Sequence, residues 1–219
     1  MPGIFLIFFF SGEHKEWCKQ TNFELATHAP MMIHDPDITK TGVVVERLTE
    51  FVDLFPTLVE LAGFPPLNVC PENSSKIELC TEGMSMVPLM KDPTTKDWKS
   101  RAFSQYPRNK NHVIESFSGY VNKSYELGKK YPGYDYYMGY TMRTDRYRYT
   151  EWVRFSGKPK YKIYWDKLKG AELYDHVTDP QENKNLIHKQ SHKALVKGLS
   201  EMLHAGWRHA LPGSPPDSK

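Results

Sequence analysis

Apolar and polar positions divide the chain into two stretches with different periods. Ile4 to Phe10 is an unbroken apolar run, too short to span a bilayer and lacking the positive lead-in and small-residue cleavage site of a signal peptide. It predicts a buried strand. Met31 to His34, entered through Pro30, predicts a second short strand, and a turn-rich segment from His34 to Gly42 precedes apolar Val43 to Val45. The strongest helical pattern runs from Asp53 to Gly63. Asp53 can cap, Pro56 falls in the first turn, Leu54, Leu58, Leu61 and Ala62 share a face, and Gly63 stops the helix. That leucine face is expected to pack on a sheet. Residues 64–82 predict an irregular loop, Gly83 to Met90 is short and apolar, and Asp92 to Ser100 is polar and linker-like. The expected domain boundary lies there, between 1–98 and 99–219.

From Arg101 onward the period becomes two. Arg101 to Tyr106 alternates, and Met138 to Thr144 and Tyr147 to Phe155 read as a hairpin about Asp145-Arg146. Between them, Asn109 to Tyr136 is a long polar, aromatic loop. Glu172 to Asp175 is a further short strand, and Asp179 to Leu186 a turn leading to a final helix, Ser191 to Arg208. Leu195, Leu199, Met202 and Leu203 fall on one face of that helix, so a small antiparallel sheet covered by it is the economical packing.

Composition changes this picture little. A chain of 219 residues that is 39% hydrophobic and 25% charged is ordinary globular protein with room for a sizeable core. The net charge of +3 points to no partner in bulk, and neither a nucleic acid nor a membrane is expected. The basic, tyrosine-rich stretches Arg143 to Arg154 and Lys158 to Lys169 read first as the wet face of a half-buried sheet, with a polyanion as the competing partner. Three cysteines, Cys18, Cys70 and Cys80, leave one over if two pair. Cys70 and Cys80 flank the glycosylation acceptor Asn73-Ser-Ser75, and Asn122-Lys-Ser124 is a second acceptor. Both features suit an oxidising, secretory environment, and no C-x-x-C pair offers a structural zinc site.

Candidate chemistry concentrates in Ser11 to Phe23, where an apolar run opens into charged groups, a histidine, a thiol and an indole. Side chains at the end of a buried strand converge on a crevice, and Lys19 could hold a fixed cation against an anionic ester as charge builds in a transition state.

Several pieces together resemble the carboxy-terminal part of the sulfatase family. They are Gly12-Glu-His-x-Glu-Trp-x-Lys19 with Asn22-Phe-Glu24 and Ala26-Thr-His-Ala-Pro30; Asp53-Leu-Phe-Pro-Thr-Leu-Val-Glu-Leu-Ala-Gly63; Ser104-Gln-Tyr-Pro-Arg108; Met138 to Tyr149; and Glu172-Leu-Tyr-Asp175 with Asp179-Pro-x-Glu-x-x-Asn-Leu186. The resemblance implies an α/β fold, an incomplete alkaline-phosphatase/sulfatase-like core followed by a small α+β subdomain. It also implies hydrolysis of 2-sulfate esters of iduronate in heparan and dermatan sulfate, in the lysosome. In such enzymes a formylglycine made from cysteine attacks sulfur while calcium and basic residues neutralise the sulfate oxygens. Lys19 matches the lysine that contacts sulfate, Cys70 and Cys80 match a disulfide, which leaves Cys18 free, and His14 matches a position without a catalytic role.

The departures are as informative. No Cys-x-Pro-x-Arg nucleophile motif occurs, and the Asp-His pair that completes the calcium site falls at Leu6 and Ile7, which cannot ligate a hard cation. No calcium is therefore expected on this chain, and the chain alone is expected to be inactive. Phe8-Phe-Phe-Ser-Gly12 is what a pyrimidine tract followed by a splice acceptor encodes, so residues 1–11 read as translated intron and the chain as a fragment. Self-association through uncovered core is expected. The alternative function is a non-catalytic glycosaminoglycan-binding module built on the basic hairpin.

Overall fold

A computed structural model of the chain describes residues 10–15, 17–18, 20–109, 136–156 and 162–214. The expected strand at 4–10 lies outside the described residues apart from Phe10, as does the expected loop Asn109 to Tyr136 apart from its two end residues, which belong to strands instead. Phe10–Ser11 (β1) pairs antiparallel with Trp17–Cys18 (β2). A single turn of helix, Glu24–Thr27 (α1), follows, then Leu54–Leu61 (α2) and Val87–Lys91 (α3). The carboxy-terminal half is a four-stranded antiparallel meander of Ala102–Asn109 (β3), Tyr136–Arg143 (β4), Tyr147–Ser156 (β5) and Lys162–Asp175 (β6), closed by helix Lys193–Ala205 (α4).

Period-two alternation sorts the meander into two faces. Phe103, Met142, Tyr149 and Leu173 point to one side, where they pack with Leu186 and with Leu199 and Leu203 of α4. Gly206, at φ 79°, ends α4 three residues before the expected Arg208, because the left-handed backbone stops the helical path. The short strand expected at Glu172 to Asp175 is the end of a fourteen-residue β6, bent where the register slips between Trp152 and Arg154.

The amino-terminal half departs further from expectation. Met31 to His34 forms no strand; instead Met31 and Ile33 reach alternately into a small core of Met86, Leu89 and Trp98. The helix at 53–63 is present, but Pro56 and Thr57 are its buried residues, while Leu58 and Phe55 are about half exposed. Its leucine face therefore packs on no sheet among the described residues. Asp53 stands at the N-cap position of α2, but, against expectation, its side chain makes no capping bond to that helix. It is fully buried, and its carboxylate accepts from the backbone N–H of Glu50 (2.7 Å) and Met84 (2.8 Å) and from Lys99 Nζ (2.7 Å). Lys99 also donates to Glu50 Oε2 at 2.7 Å, and Glu50 Oε1 accepts from the N–H of Phe103 in β3. The linker-like stretch 92–100 thus carries a buried lysine and a buried Trp98, whose indole donates to Leu48 O at 2.7 Å. This knot ties α2 to the first strand of the meander. Gly83 lies so close beneath it that a Cβ would stand 2.2 Å from Val52 O.

At the far end, Arg208 donates to the carbonyls of Cys70 and Pro71, which belong to the loop closed by the Cys70–Cys80 disulfide. No helix among the described residues is long and apolar enough to cross a membrane.

Removing one partner from a buried ion cluster leaves an uncompensated charge. Asp53→Ala should therefore lower unfolding free energy by about 3–5 kcal/mol, read from the urea midpoint. A loss under about 1 kcal/mol would mean that Glu50 alone neutralises Lys99.

Candidate functional site

The second face of the meander carries Arg143, Thr141, Gly139 and Tyr137 of β4 opposite Arg148, Thr150, Trp152 and Arg154 of β5. His14 and residues 21–24 lie over it. The turn between β1 and β2 uses two left-handed positions, Gly12 at φ 115° and His14 at φ 54°. His14 is held there by a stack on Phe23, with ring centroids 4.0 Å apart, and by its Nε2–H donating to Gln181 O at 2.9 Å. Asn22 is buried and donates through Nδ2 to Gly139 O at 2.9 Å. A Cβ on Gly139 would meet Trp152 at 2.7 Å and Asn22 at 2.8 Å, so only glycine admits both side chains.

Beneath this segment Arg148 is buried to 1% exposure, its guanidinium between the rings of Phe23 (4.8 Å) and Tyr174 (4.7 Å). Its Nε pairs with Glu182 Oε1, and Nη1 donates to Thr150 Oγ1 at 2.9 Å. Nη2 lies 3.6 Å from Glu172 Oε2 and makes no hydrogen bond. Glu182, itself in the left-handed region at φ 56°, also accepts from His176 Nε2 (2.8 Å) and from the backbone N–H of Glu24 (2.8 Å). His176 Nδ1 faces Arg143 Nη2 at 3.0 Å, which fixes the neutral tautomer because guanidinium can only donate. Arg143 in turn pairs with Glu24. Burial alone would raise the Glu182 carboxyl; the bonds from His176 and the Arg148 charge outweigh it and hold it below its ordinary value. The Tyr174 phenol is pushed up to about 12, chiefly by burial and then by the Glu172 charge.

Beside this network opens a cavity of about 270 Å³, lined by His14, Thr21, Asn22 and Phe23 from the amino-terminal segment and by Arg108, Arg148, Trp152 and Glu172 from the sheet. Its wall mixes hydrogen-bonding groups with the guanidinium groups of Arg108 and Arg148 and the carboxylate of Glu172, a lining that suits a polar ligand.

Lys19 and Asn122 lie outside the described residues, as do Leu6, Ile7 and the side chain of Cys18. Asn73 is exposed, its amide oxygen accepting from Ser75 Oγ at 2.7 Å. The cavity residues other than Lys19's neighbours were not foreseen. Arg148 reads in sequence as one of several wet-face arginines, and only the Asp179-Pro-x-Glu182 turn signalled its partner. Among the described residues, the metal-capable side chains that come together are Glu24, His176 and Glu182, with ligand atoms within 4.8 Å. They do not fit calcium, which takes six to eight oxygens, since Arg143 and Arg148 already occupy their carboxylates.

The family-model comparison defines the class. Residues 12–162, well over half the chain, match the family described as N-sulphoglucosamine sulphohydrolase, C-terminal, and the chain belongs to that sulfatase family. Among particular relatives it is similar to mouse iduronate 2-sulfatase, 30% identical over 86% of this chain and 38% of that protein, and to the human enzyme, 30% identical over 80% and 36%. Human arylsulfatase K is 30% identical over 88% of this chain and 28% of its own length. The chain thus spans between 28% and 38% of the length of these curated relatives. Its fold resembles that of a protein solved in complex with its substrate D-glucosamine-2-N,6-O-disulfate, with TM-score 0.61, 20% identity, and coverage of 92% of this chain and 32% of that one. It also resembles a putative sulfatase from Bacteroides thetaiotaomicron, with TM-score 0.59, 19% identity, and coverage of 97% and 39%. The α/β sulfatase-like fold follows from both.

Because Glu182 titrates below its free value near 4.5, it stabilises the fold fully above that value, and the contribution is lost as pH falls through the lower folded value. Urea midpoints measured from pH 7 downward should hold level and then drop below that range. Glu182→Gln should remove this dependence and cost roughly 3–5 kcal/mol at neutral pH by stranding Arg148. An unchanged acid limb in the variant would assign the dependence to other carboxyls, with Asp175 beside Arg146 first among them.

Proposed function

We propose that this chain is the carboxy-terminal portion of a sulfatase whose whole form hydrolyses 2-sulfate esters of iduronate in heparan and dermatan sulfate in the lysosome. The observation that carries this reading is the family match over residues 12–162, a span that includes all of the residues lining the cavity but Glu172. Lys19 is the residue proposed to grip the sulfate. Its positive charge is permanent at working pH and stabilises negative charge that grows on the sulfate oxygens. Groups lining the cavity would orient the sugar. The nucleophile and calcium chemistry of the family would come from residues that these 219 do not include. No cysteine here stands in Cys-x-Pro-x-Arg, and the Glu24, His176 and Glu182 group is already neutralised by arginine. One cation cannot by itself supply the many kcal/mol that such hydrolysis needs.

A polypeptide of these residues alone should therefore bind a 2-sulfated disaccharide, more weakly after Lys19→Ala, and release no product from a fluorogenic sulfate ester. Turnover above the Lys19→Ala control would refute the division of labour. A non-catalytic glycosaminoglycan-binding module would share the binding and the missing turnover but would be indifferent to Lys19.

The reading also assigns a role to the apolar side chains of the amino-terminal half. Phe51, Phe55, Leu58 and Phe64 are each exposed by 44% or more and are where we expect copies to associate. Light scattering should show mass rising with concentration, and a monodisperse monomer across the range would remove this surface from consideration.

A further inference from the structure

Past Gly206, where α4 stops, the chain continues as a short 3-10 turn, Trp207–Ala210, and three successive residues of that turn are bound to segments far away in sequence. Arg208 donates through Nε to Cys70 O at 3.2 Å and through Nη2 to Cys70 O at 3.0 Å and Pro71 O at 2.8 Å. His209 O accepts from the Arg101 guanidinium, and buried Ala210 accepts through its carbonyl from the Ser100 N–H at 3.0 Å. The Trp207 ring lies 4.2 Å from the Arg208 guanidinium carbon, and Ser214 Oγ donates to Arg208 O at 2.7 Å. Residues 207–214 therefore form a strap between the start of β3 and the disulfide loop.

The two carbonyls that Arg208 grips belong to the stem of that loop. Pro71 to Asn73 and Ser75 to Leu79 are exposed, and the loop's own bonds, Ile77 N–H to Ser74 O and Ser75 Oγ to Asn73 Oδ1, are local. Three ties close the stem: the Cys70–Cys80 disulfide and the backbone bonds Cys70 N–H to Thr81 O (2.8 Å) and Thr81 N–H to Asn68 O (2.9 Å). The Cys80 side is anchored independently, because buried Thr81 accepts through Oγ1 from the Gly83 N–H at 3.0 Å, next to the Asp53 and Lys99 knot. The Cys70 side depends more on the covalent tie. A guanidinium that spans two successive carbonyls tolerates little displacement of either, since hydrogen bonds weaken steeply with angle.

We propose that the Cys70–Cys80 disulfide is a thiol-responsive latch, whose reduction by a dithiol frees Arg208 and lets residues 207–214 lift away while the meander and α4 stay folded. Cys70 is 7% exposed and Cys80 more so, which directs attack to Cys80. A thiolate of the dithiol bonds to Cys80 Sγ, the Cys70–Cys80 bond breaks, and Cys70 leaves as a thiolate that takes a proton from water. The second thiol of the reagent then displaces Cys80 and closes a cyclic disulfide, so two electrons and two protons pass to the protein.

Hydrogen exchange of the 219-residue chain tests this with and without dithiothreitol. The Ser100 amide, which is protected by Ala210 O, should exchange about tenfold faster after reduction, while amides of β4 and β5 keep their rates. Cys70→Ser/Cys80→Ser should behave as the reduced chain does. Arg208→Gln with the disulfide intact should give the same acceleration at Ser100, and reduction of that variant should add little. An unchanged Ser100 rate on reduction overturns the latch. Equal acceleration throughout the meander overturns it by making the disulfide a general support of the fold. A slow Ser100 amide in oxidised Arg208→Gln overturns it by removing Arg208 as the link.

Discussion

A guanidinium with 1% of its surface in water is the constraint around which the second face of the sheet is arranged. Burying Arg148 costs several kcal/mol in lost hydration unless its surroundings replace the water. The replacement comes from three separated segments: Phe23 above, Tyr174 and Glu172 on the neighbouring strand, and Glu182 from the turn that follows. Each is fixed by having to meet the same cation. The segment carrying the cavity's upper wall is therefore docked by the arginine that forms its floor. The two left-handed non-glycine residues among those described, His14 and Glu182, both belong to this junction. Each costs roughly 1–2 kcal/mol of backbone strain, sustained because their side chains are held by Phe23 and Gln181 in one case and by Arg148 and His176 in the other.

A second buried cation does the equivalent in the amino-terminal half. Lys99 sits between Glu50 and Asp53, and the same two carboxylates hold backbone N–H groups of Glu50, Met84 and Phe103. One cluster thus closes the start of α2, the loop before α3 and the start of β3. A polar stretch that reads as a linker is in effect a tether, because the lysine in it is charge-matched to a helix start some fifty residues earlier.

Where the sequence was legible, one local rule decided the outcome. Alternation from Arg101 to Tyr106 and from Tyr147 to Phe155 specified strands, which run in the structure over Ala102–Asn109 and Tyr147–Ser156, and the spacing of Leu195, Leu199 and Leu203 specified the helix that covers them. Asp53, Pro56 and Gly63 bracketed α2 correctly, but which face it buries depends on partners distant in sequence, and its leucines are largely uncovered among the described residues. The candidate site was less legible for the same reason. Arg146, Arg148 and Arg154 are equivalent in a period-two reading, yet Arg146 is half exposed on Asp175, Arg148 is buried and Arg154 is exposed. What separates them is the segment from Asn22 to Glu24, more than a hundred residues away, which covers one end of the face and not the other.

That gradient of cover sorts the basic residues by role. At the covered end, Arg143 and Arg148 face Glu24 and Glu182 directly, so their charge is matched within the protein and a ligand would have to compete with carboxylates already in place. At the other end, Arg154 and Lys162 lie 5.3 Å and 4.9 Å from the Tyr164 ring centroid, beyond the reach of Glu24 and Glu182. The same face therefore uses arginine to fasten distant segments together at its covered end, and the cavity lies beside that junction.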